Sequence, residues 1–336
     1  MQLPPGRGPV SSALMRRLRG RGRLDADLVA DEVSRRVNVL ADDDLQLALA
    51  VAYELHYRGF DDADPRAEWS PEVLESRAVI EEAHEAALRA AVSAAPERES
   101  VATRLTDLVN ADRGLSLSRL MASDPSLDKF RCLVAQRSIY HLKEADPHSW
   151  TIPRIGGPAK AALIEIQADE YGGGRYRAMH STLFSRLMRE LGLDDTYGAY
   201  WPQATAPTLA TVNTMSMFGL HRRLRGASLG HLAVLEMTSS IPNRQYERAL
   251  RRLDFDAAAA EFYAVHVQAD SVHEQVAAFD MCGNFVKDEP AESDAVLFGA
   301  AACLLVEGLF AESIARSWKT DEACAALWDA SNSVSA

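Results

Sequence analysis

Cysteine is scarce: there are four in 336 residues, at Cys132, Cys282, Cys303 and Cys324, with no CxxC and no close pair. That scatter excludes a disulfide framework, and it predicts reduced, mostly buried thiols in a cytoplasmic protein. Long basic runs are also missing. The net charge is −12, and the single short basic stretch, RRLRGRGR (Arg16–Arg23), is too brief to bind a phosphate backbone, so no nucleic-acid partner is expected. The N-terminus is rich in Gly, Pro and Arg and lacks the apolar run of a signal peptide. The most apolar window, AVLFGAAACLLVEGLFAE (Ala295–Glu312), carries Glu307 and Glu312. It reads as a buried helix rather than a membrane span, so no membrane partner is expected. β-branched alternation is almost absent, which excludes a fold built on strands.

What is present is apolar periodicity at helical spacing, in a chain that is 47% apolar and 25% charged. The prediction is an all-α bundle with short connections and no internal repeat. Residues 1–24 read as a disordered leader and residues 25–99 as a helical extension. Residues 100–336 read as the main domain. Helices are expected over about Asp25–Arg58, Pro71–Ser93, Glu97–Arg119, Leu127–Ala145, Pro158–Tyr171, Arg175–Leu191, Pro207–Leu224, Gly226–Ser240, Asn243–Leu253, Ala257–Phe279 and Asp294–Ser317, with a short helix at the end. Breaks are set by DPHSWTIPRIGGP, YGGG and SSIPN.

The stretch EFYAVHVQADSVHEQ (Glu261–Gln275) places His266, Asp270 and His273 at i, i+4 and i+7. On a helix they fall within roughly 60° of one another. The same line carries Ala259, Phe262, Tyr263, Ala269 and Ala277, so it faces the core. Buried imidazole and carboxylate groups cost free energy unless they are bonded to each other or to a metal. Either a hydrogen-bonded histidine pair or half of a metal site satisfies the pattern, and a metal site needs ligands from other helices.

Two other apolar faces are interrupted by carboxylates. In AKAALIEIQADEYGGGRYRAMHSTLF (Ala159–Phe184), Ala159, Leu163, Ile166 and Glu170 share one face, so Glu170 points inward and its neighbour Asp169 does not. His180 follows ten residues later, and the glycines between either cap the helix or bend the chain to bring His180 back to Glu170. In LGHLAVLEMTSS (Leu229–Ser240), Glu236 is a lone carboxylate on the stripe of Leu229, Leu232 and Ala233, while His231 lies off that stripe. Glu170, His180, Glu236, His266, Asp270 and His273 are then three imidazoles and three carboxylates without a thiolate. That set suits iron or manganese better than structural zinc. Six ligands are too many for one catalytic ion with an open position, whereas two ions with a bridging carboxylate use them all.

The order E-Y-G-G-G-x5-H, then a helix with one inward Glu, then H-x3-D-x2-H, resembles the haem-oxygenase-like diiron oxidases and oxygenases, often labelled iron-containing redox enzymes. The resemblance covers roughly residues 100–320 and includes QRSIYHLKEADPHSW (Gln136–Trp150), which looks like an early core helix of that family. It implies a haem-oxygenase-like helical bundle with an N-terminal helical extension, two Fe(II) ions with manganese as the alternative metal, O2 as co-substrate and no haem. It also implies oxidation of a small molecule (an amino acid, amine or fatty acid) by N-oxygenation or oxidative C–C cleavage. Glu170 and His180 would hold one ion, Asp270 and His273 would help hold the other, Glu236 would bridge and His266 would complete one sphere.

No flavin or ferredoxin motif is present, so an external electron donor is expected, and the N-terminal helices suggest a homodimer. Arg222, Arg223 and Arg225 are candidates to clamp a substrate carboxylate, with solvated surface charge as the alternative. Tyr263 is placed near His266, as core or pocket wall. A metal-free hydrolase or small-molecule binding module of the same fold, and a purely structural helical protein, are the competing readings.

Overall fold

The structure, a computed structural model, describes residues 1–92 and 100–320; the side chains of residues 268–271 lie outside that description. Among the described residues there is no strand. The first part of the chain forms α1 (Pro9–Leu18), α2 (Ala26–Ser34), α3 (Asp43–Glu54) and α4 (Pro71–Ala91). Then come α5 (Val101–Ala111), α6 (Leu117–Ser123), α7 (Leu127–His141), the one-turn α8 (Asp146–Ser149), α9 (Gly157–Glu170) and α10 (His180–Glu190). The last part is α11 (Ala206–Leu220), α12 (Arg225–Arg252), α13 (Ala257–Gln275), α14 (Asn284–Asp288) and α15 (Ser293–Thr320). The short helix expected at the end of the chain, and Cys324, lie outside the described residues.

Residues 1–24 are not a disordered leader. Leu3, Val10, Leu14, Met15 and Leu18 are buried in the same apolar cluster as Phe130, Leu187 and Phe262. The carboxylate of Asp44, on α3, accepts hydrogen bonds from the amides of Val10 and Ser11 and so caps the start of α1. Arg17 and Arg19 of the basic stretch are tied to Glu72 and Asp62. The apolar stripe of α1 outweighs the Gly, Pro and Arg composition on which the disorder expectation rested.

Helix breaks account for the other differences. The helix expected over Asp25–Arg58 is two, because the Asp42 side chain accepts from the Asp44 and Leu45 amides and starts a new one. Ser116 starts α6 in the same way within the expected Glu97–Arg119 helix. Conversely, α12 runs unbroken through Pro242, where two helices are expected. A proline at this point cannot bond the carbonyl of Thr238 four residues back. Thr238, Ser239 and Pro242 all line the internal cavity described below.

α12 packs most extensively against α13 and α15. A Cβ at Gly230 would stand 1.8 Å from the carbonyl oxygen of Val296, so only glycine permits α12 and α15 to cross this closely. α15 contains the apolar run and is long and apolar enough to cross a membrane. Here Val296, Ala300, Cys303, Val306 and Phe310 are buried on the other helices. After Gln275, α13 continues as a π-helical stretch, Val276–Gly283, packed on α9. Wide π turns of this kind recur near functional sites.

Candidate metal centre

Four side chains from four parts of the chain converge inside the bundle. Glu144, Glu170, His180 and His266 each offer one ligand atom, and these atoms lie within 4.8 Å of one another. Glu170 ends α9 and His180 opens α10. Between them Gly172, Gly173 and Gly174 take φ of 63°, 58° and 77° and turn the chain back. A Cβ at Gly172 would stand 2.5 Å from the backbone of Ala178 and Met179, so the return depends on glycine there. The glycines thus break the helix and bring His180 Nδ1 to 3.0 Å from Glu170 Oε2.

Glu144 lies just beyond α7. Its Oε1 accepts from His141 Nδ1 at 2.9 Å and lies 3.5 Å from His266 Nε2. His141 is itself packed between the rings of Phe184 and Phe262, at 4.7 and 5.1 Å. The turn carrying Glu144 is fixed from two more sides. The Gln167 amide on α9 donates to the Ala145 carbonyl, and Lys143 pairs with the fully buried Glu54 of α3 at 3.2 Å. Tyr197 donates to the same Glu54 carboxylate.

His266 Nδ1 lies 2.7 Å from the carbonyl oxygen of Phe262, one turn back. A carbonyl only accepts, so Nδ1 carries a proton and Nε2 is the atom turned toward Glu144. This is how a metal-binding imidazole is usually oriented.

Glu236 and His273 form a second group. His273 Nδ1 is 3.4 Å from Glu236 Oε2, and its Nε2 is 3.8 Å from Asp169. Of the six residues nominated from sequence, the structure therefore gathers Glu170, His180 and His266 in one cluster and pairs Glu236 with His273 alongside. Asp270 lies outside the described side chains. Glu144 was not nominated, although the stretch containing it had been singled out. Its signal was faint: a carboxylate three residues after His141, at the frayed end of a helix expected to run on to Ala145.

The electrostatics suit a cation. Burial pushes the Glu236 carboxyl up, and the charge of Glu170 adds to it. Burial also opposes the charge on Glu144, but the His141 and His266 imidazoles outweigh it and hold that carboxyl below the ordinary range. Burial lowers His180, yet the Glu170 carboxylate beside it more than offsets this and leaves the imidazole above its ordinary value. Glu236 raises His273 against burial.

The decisive observation is one of alignment. Glu144 Oε2, Glu170 Oε2, His180 Nδ1 and His273 Nδ1 are buried without a hydrogen-bond partner in the structure. His180 and Glu170 stand at hydrogen-bonding distance but are misaligned for a bond. Orphaned buried polar atoms of this kind are rare, and a positive ion among the Glu144, Glu170, His180 and His266 ligand atoms would satisfy the first three. The residues fit a divalent metal with nitrogen and oxygen ligands.

The chain matches the model of the iron-containing redox enzymes over residues 131–308. It belongs to that family. Nitrosourea synthase of Streptomyces achromogenes subsp. streptozoticus is 27% identical to it over 136 residues, which is 40% of this chain. The match spans 29% of that relative's length. The family match begins six residues before Arg137 and includes Glu144 and every residue nominated from sequence. α1 to α4 lie outside it.

A cavity of about 350 Å³ adjoins the cluster. Glu144, Glu170, Glu236 and His266 line it, together with Tyr140, Tyr246 and Tyr263. Tyr263, expected as either core or pocket wall, is both: it is buried, stacks on Tyr246 at 5.3 Å and lines the cavity. The candidate arginine clamp is overturned. Arg223 pairs with Glu85 and Arg225 with Glu289 and Glu292, Arg222 is exposed, and none of the three lines the cavity. His231, set aside from the ligands, bonds to His148 at 3.3 Å.

Proposed function

We propose that this protein is a non-haem diiron, O2-dependent oxidase or oxygenase acting on a small molecule. The observation that carries the reading is the set of misaligned buried ligand atoms beside a substrate-sized cavity. Glu144, Glu170, His180 and His266 would serve one ion, and Glu236 and His273 would serve a second with Asp270. Seven ligands of this kind comprise four carboxylates and three imidazoles. Four negative charges balance two divalent ions, so the assembled site is close to neutral and tolerable in a buried place. Bound iron would activate O2 and take electrons from the substrate.

The chain's own residues do the remaining work. The Phe262 carbonyl keeps the proton on His266 Nδ1, and His141 orients Glu144 through its Nδ1–H. Burial in the bundle keeps the Glu144, His180 and His266 side chains from bulk water. The relative that synthesises a nitrosourea favours N-oxygenation of a nitrogen-bearing substrate over C–C cleavage. Electrons from an external donor, a cytoplasmic location and a homodimer belong to the same reading.

Anaerobic Fe(II) titration, followed by rapid mixing with O2, tests it. The expected result is about two irons per chain and a transient visible absorption after mixing. A protein that binds no iron under any condition would return the reading to a metal-free hydrolase or binding module of the same fold.

A further inference from the structure

The lining of the cavity includes a half-buried ion pair outside the candidate ligand set. Arg137 on α7 donates from both terminal nitrogens to Glu307 on α15, at 2.9 and 2.6 Å, and lies over the ring of Phe310 at 3.9 Å. Both residues line the cavity. Arg137 is the one lysine or arginine among the lining residues, whose other charged members are carboxylates. Arg137 precedes Glu144 by seven residues in the chain, and Tyr140, three residues after Arg137, lines the same cavity.

The pair is not chemically saturated. A guanidinium has five N–H donors, and Glu307 accepts from two of them. Each Glu307 oxygen also keeps lone-pair capacity. A simple carboxylate approaching Arg137 meets the charge of Glu307, and a simple amine approaching Glu307 meets Arg137. A zwitterion meets neither penalty, because its carboxylate can take the free guanidinium donors while its ammonium takes Glu307. Such charge-assisted bonds are the strong and directional ones. The cavity lining also includes Leu133, Leu235 and Leu304, which suits the aliphatic stem of a long side chain.

We propose that Arg137 and Glu307 form the recognition site for the α-ammonium and α-carboxylate of a free L-amino acid, whose long side chain delivers its distal end to the metal cluster. The proposal rests on the reading of the cavity as the active site of an iron enzyme. It selects amino acids over fatty acids and simple amines.

The test measures binding by saturation-transfer NMR to the purified full-length protein. The probes are L-lysine, L-arginine, L-norleucine and L-tyrosine, the deaminated and decarboxylated analogue of each, and decanoate. At least one amino acid should bind tenfold or more tightly than both of its analogues and than decanoate. Glu307→Gln should erase the discrimination against the deaminated analogue while iron loading stays at the unmodified level. Arg137→Lys, which retains the charge, should erase discrimination against the decarboxylated analogue, and it serves if Glu307→Gln does not fold. The proposal is overturned if no amino acid in the panel binds, if analogues or decanoate bind equally well, or if the variants keep their selectivity. Iron stoichiometry, measured separately, reports on the metal reading independently of these outcomes.

Discussion

Six histidines are buried to nearly the same degree, yet they fall into two groups with opposite chemistry. His84, His148 and His231 are 0–2% exposed, and His180, His266 and His273 are 1–8% exposed. In the first group every partner is neutral. His84 accepts from the Gln46 amide at 3.1 Å and donates to the Thr214 hydroxyl at 2.9 Å, while His148 and His231 bond to each other. Burial then pushes His84 down to about 4, against the weaker pull of Glu81 and Glu85, and His231 to about 3. In the second group each imidazole faces a carboxylate, and His180 and His273 are held above their ordinary value. Burial therefore does not mark a functional histidine. What separates the second group is the carboxylate beside each imidazole.

The comparison breaks most visibly at Glu144. Glu144→Ala should lower iron per chain by one and reduce O2-dependent turnover more than 100-fold, because it removes a ligand whose orienting partners remain. His84→Gln should leave iron content unchanged. Anaerobic titration with metal analysis of both variants decides the matter, and a Glu144→Ala protein that still loads two irons would remove Glu144 from the site.

The next largest effect lies just behind the site. Glu54→Gln leaves Lys143 as a buried charge without its counter-ion, which should cost about 3–5 kcal/mol. It should also weaken iron binding, since Lys143 adjoins Glu144. Removing the exposed partner Asp31 of Arg35 should cost less than about 1 kcal/mol. Urea unfolding measures both. A loss below 1 kcal/mol at Glu54 would show that α3 does not brace the ligand turn.

These contrasts also explain what the sequence could and could not reveal. Periodicity was enough to read an all-α bundle, because the apolar stripes of α9, α12 and α13 repeat at helical spacing. The same stripes exposed Glu170, Glu236 and His266 as polar residues in core positions. Glu144 escaped because it stands in a turn, where no periodicity marks the inward side. The order of residues 1–24 escaped because the cap on α1 comes from Asp44, which is far away in sequence. The Arg222–Arg225 clamp failed for a related reason. Its counter-charges, Glu85, Glu289 and Glu292, are remote in the chain, while the cation that does reach the cavity, Arg137, sits unremarked in QRSIYHLKEADPHSW.

Metal should stabilise one group of histidines and ignore the other. At a free-metal concentration one hundred times the dissociation constant, binding to the folded state adds about 2.7 kcal/mol. Thermal unfolding with and without Fe(II), under anaerobic conditions, should show that gain in the unmodified protein and in His84→Gln. Glu170→Ala should lose most of it. Equal stabilisation of all three proteins would place the bound metal elsewhere.

The smallest effect concerns acid. His84 has a folded value near 4 and an ordinary value near 6.5. Between those values the unfolded chain holds more protons at this site than the folded one, so stability falls as pH falls. From pH 7 to 5 the loss at a single such site is about 2 kcal/mol, at about 1.4 kcal/mol for each unit of separation. His180 and His273 run the other way in metal-free protein. Their raised values contribute stability that is present at acidic pH and is lost as pH rises through the folded value. Metal-free His84→Gln should therefore lose about 2 kcal/mol less than the unmodified protein between pH 7 and 5 in urea titrations, whereas His180→Gln should lose more. If both variants followed the unmodified protein, burial of the two groups would not differ in its electrostatic consequence, and the distinction drawn between them would fail.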